Sequence, residues 1–153
     1  MSFFGKLFGK KEQRSISFKR EIEQGVDLYY AYYDQPERIA GEIEKIGLSD
    51  EDTTMLYLFI PQVFCRLLLP EIQYSKYYIV TNKAGKDEHR YYSDSPIFCE
   101  MVKTIEANWE QYVQRDPMKV LFYSPDFKAA NEMLGKGSEL KNLQSVPPRI
   151  MAL

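Results

Sequence analysis

A mainly α (α+β) fold, with helices around a buried central helix and a small antiparallel β-hairpin, is what three features of this 153-residue sequence predict. Over residues 55–69 the apolar side chains point round almost the whole helical circumference, the pattern of a helix covered on most sides. Segments before and after it repeat apolar residues at three- and four-residue intervals, so each carries one greasy face. Over residues 77–92 the period changes to that of strands. A composition 44% hydrophobic and 27% charged is ordinary for a globular chain, and 153 residues suit one domain with one core.

Taken in order, residues 1–14 form a basic segment in which Phe3, Phe4, Leu7 and Phe8 fall on one side of a short helix and Lys6, Lys10 and Lys11 elsewhere. A mobile or core-docked terminus is expected there, with an anionic membrane surface as the alternative contact of those four apolar residues. The helical domain is expected over 15–145. Phe18, Ile22, Val26, Tyr29, Tyr30 and Tyr33 predict a helix over 17–33, weakened slightly by Gly25. Asp34, Gln35 and Pro36 then stop and restart the chain, Ile39, Ala40, Ile43 and Ile46 make the next apolar face, and Gly47 suits a left-handed cap. The short links favour antiparallel neighbours.

Ser49 caps the central helix, with Asp52 at the capping-box position and Asp50 and Glu51 at the positive end of the dipole. Pro61 lacks an amide hydrogen, which predicts either a kink or two short helices meeting at Ile60. Beyond Pro70, residues 77–81 and 89–92 predict a hairpin turning at 82–86 with Gly85. Because a lone hairpin is not stable in water, a third strand or a helical face must cover it, and residues 119–123 are the candidate strand, although the same pattern serves a helix. Ser95 with Pro96 starts a helix whose face of Phe98, Met101, Val102, Ile105, Trp109, Tyr112 and Val113 runs to Gln114. Ser124 with Pro125 starts another, ended by Gly135, and residues 146–153 read as an extended tail.

Catalytic parts are scarce. Nucleophilic catalysis needs an activating base and an orienting group, and the chain has one histidine, His89, expected on an exposed strand. Cys65 and Cys99 fall in apolar helical runs and are expected as buried free thiols in a reduced, cytoplasmic setting. Three Cys and His residues in all fall short of the four ligands of a structural zinc site, no calcium-loop or phosphate-loop pattern is met, and no cofactor or metal is expected. Gly135 and Lys136 lack the earlier glycine a phosphate loop requires. Arg66 sits among Phe64, Leu67 and Leu68, where it must snorkel or find a carboxylate; a structural ion pair is expected ahead of an anion site. The central run is too short and too polar for a bilayer span, so no integral membrane segment is expected. The opening MSFFGKLFGKK lacks the apolar core and cleavage site of a secretory signal.

Charge and tyrosine are what remain. The net charge is -2, yet residues 1–20 hold six basic and one acidic side chain, and residues 21–59 hold ten acidic and two basic. Twelve tyrosines come in runs whose neighbours cannot all face one core, so accessible rings suited to a protein interface are expected. The expectation is a small protein-binding protein without catalytic activity that meets another protein through Glu37, Glu42 and Glu44 or through Tyr29, Tyr32, Tyr77 and Tyr91. By size, charge and missing catalytic parts alone it is analogous to bacterial immunity-type inhibitors. Two rival classes stand beside it, an enzyme whose dispersed site brings together Arg66 and His89, and a membrane-peripheral adaptor using Phe3, Phe4, Leu7 and Phe8. Net acidity argues against nucleic acid as a partner.

Overall fold

Helix α3 (Asp50–Leu68) is the axis of the computed structural model, which describes residues 17–151. Ser49 Oγ accepts from the Asp52 amide at 3.2 Å, satisfying one of the open donors of the first turn. The helix then continues as one element through Pro61, so of the kink or two short helices expected there, the two short helices do not form. Burial of Pro61 between Ile60 and Gln62 in the packed core accounts for this, since the surroundings hold a segment that propensity alone would break. Met55, Leu56, Phe59, Ile60, Val63, Phe64 and Cys65 are buried, whereas Leu58 is 37% exposed and opens one side of the axis.

Around it pack α1 (Lys19–Ala31), α2 (Pro36–Glu44), α4 (Pro96–Ala107), α6 (Met118–Leu121) and α7 (Pro125–Gly135). Gly25 of α1 lies where a Cβ would come within 2.8 Å of Ile60 Cδ1, so the residue read as a mild weakness is a point of close helix approach. Gly47 takes φ +91°, the left-handed cap expected after α2. The helix expected to run from Pro96 to Gln114 is divided at Asn108 into α4 and α5 (Trp109–Gln114). Asn108 leaves helical geometry and donates its side-chain amide to Glu23 on α1 at 3.0 Å, a tertiary bond with no counterpart in local pattern.

Strands β1 (Tyr77–Thr81) and β2 (Asp87–Tyr91) form the expected antiparallel hairpin, with Gly85 at φ +82° in the turn. The third strand is β3 (Arg149–Met151), which pairs in parallel with the other side of β1, placing Val80 opposite Ile150. The candidate third strand is instead helical, with Val120 and Leu121 of α6 buried against α3, and the expected tail supplies the strand. A short apolar run fits either structure, and a parallel partner 68 residues from Thr81 through the Arg149 contact leaves no local signature. Tyr78 carries the sheet onto the core, its ring 5.7 Å from Phe59 and 5.3 Å from Tyr92. The two thiols part company: Cys65 is buried and Cys99 is exposed, because the buried stripe of α4 runs through Ile97, Phe98, Met101 and Ile105.

Candidate functional site

Where Leu58 leaves the core open, α3, the start of α7 and the strap leading into β3 enclose a cleft of about 490 Å³. Tyr57 and Leu58 form one wall, Tyr123 and Pro125 a second, and Val146, Pro147 and Pro148 a third. The strap is held away from helical geometry by its prolines and is pinned at both ends, by the Gln73–Gln144 bridge and by β3. Leu58 and Val146, at 37% and 79% exposure, face water at the rim. Phe122, 61% exposed, extends the apolar surface beside Tyr123, with the two rings 6.1 Å apart, and the Tyr123 hydroxyl donates to the Tyr33 carbonyl.

The floor is polar and organised. Ser124 Oγ is fully buried, caps α7 by accepting from Phe127 N at 3.4 Å, and donates to Gln62 Oε1 at 3.1 Å. Gln62 Nε2 in turn donates to Asp126 Oδ2, which also accepts from Ser145 Oγ at 2.8 Å. Asp126 is only 9% exposed, and its Oδ1 accepts nothing from the described residues. Sequence reading passed over Gln62 and Asp126, because an Asp after a Ser-Pro start reads as a dipole residue and a Gln in an apolar helix reads as a blemish.

No carboxylate among the described residues lies within ion-pair distance of Arg66, so the expected direct pair is absent, although the charge of Asp126 acts on it through space. Its guanidinium lies 4.7 Å from the Tyr92 ring centre, 5.0 Å from Tyr74 and 5.3 Å from Phe98, and donates to the Ser75 carbonyl at 3.0 Å. Burial holds its pKa below the ordinary arginine value. Burial likewise pushes the Cys65 thiol up, the opposite of what a nucleophile needs, with Tyr74 Oη at 3.3 Å from Sγ. His89 is exposed on β2 and stacks on Tyr77 at 4.6 Å, bordering a recess with Glu51 and Arg90 that Arg66 does not reach. The structure does not bring Arg66 and His89 together.

The expected partner-binding residues divide. Tyr29 is 1% exposed with its hydroxyl on the Tyr57 carbonyl, and burial raises its pKa, so it belongs to the core and the back of the cleft and not to an outer surface. Tyr32 is half-buried beneath Arg38, whose guanidinium is 4.1 Å from the ring centre. Glu37 and Glu44 are exposed, but Glu42 pairs with Lys45 at 2.9 Å, and that bond holds its carboxyl below the ordinary range. The α2 face therefore carries its own cations. Tyr77 is half-buried and Tyr91 is 52% exposed, bordering a different recess from the one Tyr32 and Glu42 share. Phe3, Phe4, Leu7 and Phe8 lie outside the described residues.

No family model, no curated protein and no solved structure matches this chain. Among the described residues no helix is long and apolar enough to cross a membrane, and no group of three or more His, Cys, Asp or Glu is placed to hold a metal ion.

Proposed function

We propose that this protein acts by binding another protein, and that a segment of the partner enters the cleft between α3, α7 and the strap before β3. The observation that carries the reading is the rim: Leu58 and Val146 stay exposed across the mouth of a formed cavity walled by tyrosine and proline. Rigid rings and prolines lose little freedom on binding and offer large apolar area with polar tips. Phe122 and Tyr33 continue this surface beyond the mouth, with Lys119 Nζ 4.7 Å from the Tyr33 ring centre. Glu37 and Glu44 on α2 and Tyr91 on β2 remain available as outlying contacts for a basic partner.

Affinity purification from the native cell, comparing the wild-type chain with a Leu58→Asn/Val146→Asn variant of unchanged circular dichroism, tests the assignment. A partner retained by the wild-type chain and weakened about 30-fold or more by the double variant, the loss of roughly 2 kcal/mol typical of an interface anchor, is the expected result. A partner held equally by that variant but lost on replacing Glu37, Glu42 and Glu44 with Gln moves the interface to α2 and refutes the cleft.

A further inference from the structure

The polar floor states what kind of side chain the cleft is built to receive. Asp126 is the carboxylate among its lining residues, and both donors that reach it, Gln62 Nε2 and Ser145 Oγ, use the same oxygen, Oδ2. A carboxylate offers about four lone-pair positions, so Oδ1 is left with unspent accepting capacity. Nor is Oδ1 sealed in the interior: the enclosed side-chain atoms without partners among the described residues are Arg66 Nε and Tyr92 Oη. Neither nearby guanidinium bonds to Oδ1, although Arg66 is close enough for its charge and that of Asp126 to interact through space. Arg149, at the cleft's edge, donates to Asp87 Oδ1 at 2.6 Å and Thr81 Oγ1 at 2.7 Å, and Arg66 is held by Ser75 and three rings.

Asp126, mostly buried with one open oxygen, lines the same cleft as Tyr29, Tyr57 and Tyr123, a combination of acid and apolar wall that suits a cation on an apolar stem. We infer that the partner's segment inserts a lysine or arginine side chain, whose charged head meets Asp126 Oδ1 and whose methylenes lie against Leu58, Val146 and Pro147. The apolar walls fit the stem, as long cationic side chains elsewhere cover greasy surface while their heads seek a polar end. Gln62 and Ser145 fix the carboxylate, so no rotamer search is needed when the cation arrives. This inference rests on the docking reading above and adds the chemistry of the inserted residue.

The test uses the full chain with 13C-labelled tyrosine and three probes, the Nα-acetyl N-methylamides of lysine, arginine and norleucine. Each is titrated to about 100 mM, well above the millimolar range in which a single contact of this kind saturates. Shifts of the Tyr57 and Tyr123 ring signals are expected with lysine or arginine amide binding at least tenfold more tightly than norleucine amide, an advantage that added salt reduces and Asp126→Asn removes. Should Asp126→Asn fail to fold, Tyr57→Leu serves in its place and is expected to weaken the cationic probes more than norleucine. Equal binding of all three probes overturns the cation assignment while leaving an apolar docking cleft. Shifts from none of them overturn the assignment together with the cleft.

Discussion

Gly25 and Ile60 are expected to be coupled, and the geometry sets how strongly. A methyl added at Gly25 would sit 2.8 Å from Ile60 Cδ1 and 3.8 and 3.9 Å from the Leu56 methyls. Carbon atoms pack best at about 3.5–4.0 Å, so only the Ile60 contact is too close, and Ile60 is fully buried with little room to retreat. Gly25→Ala alone gains about 1 kcal/mol of helix propensity and loses about 1–3 to overpacking, a net destabilisation of roughly 0–2. Ile60→Val alone removes the offending Cδ1 and costs about 1 kcal/mol. Made together, the alanine methyl occupies the space the valine vacates, and the double variant is expected within about 0.5 kcal/mol of wild type. Urea unfolding followed by the fluorescence of Trp109, packed 5.2 Å from Phe64, measures all four corners of the cycle. Additivity to within about 0.3 kcal/mol would show that α1 and α3 do not approach as closely as the structure has them.

Two further outcomes follow from named contacts. Ser124→Ala removes both the α7 cap and the donor to Gln62 Oε1, and is expected to cost about 2–3 kcal/mol in urea unfolding, against a few tenths for an exposed serine such as Ser93. The hydrogen bond from Arg149, followed by that from Thr81, holds the Asp87 carboxyl below the ordinary aspartate value. A depressed folded-state pKa means that the contribution is complete above the unfolded value of about 3.9 and is lost as pH falls through the lower one, so the protection factor of the Ile150 amide, with the intrinsic pH dependence of exchange divided out, is expected to fall only in that acid window. A protection factor already reduced near neutral pH would exclude Asp87 as the tie on β3.

Much of the helical architecture was legible because it depends on neighbours in sequence. Ser49, Ser95 and Ser124 each accept from the amide three residues on, and Pro36, Pro96 and Pro125 each open a helix, as their positions foretold. The candidate site was much less legible. Tyr29 and Tyr32 are three residues apart, which puts them on adjoining parts of one helix face, yet one is sealed by Tyr57 and Tyr123 and the other only shielded by Arg38. Which tyrosine is reachable depends on what packs over it, and that comes from distant segments. Arg66 shows the same limit, since rings from three separate stretches take the place of the carboxylate that its surroundings called for.

By itself the sequence determined where α2, α3, α4 and α7 start, that α3 forms the axis, and that a hairpin turns at Gly85. These depend on caps, periodicity and turn chemistry, which act over a few residues. Only the tertiary structure decided that Pro61 stays within an unbroken helix, that the last strand joins in parallel, and that Gln62, Ser124, Asp126 and Ser145 form one bonded chain beneath a tyrosine cleft. The reason is distance along the chain: Gln62 and Asp126 are 64 residues apart, and what joins them is the packing of α3 against α7, which no local pattern encodes.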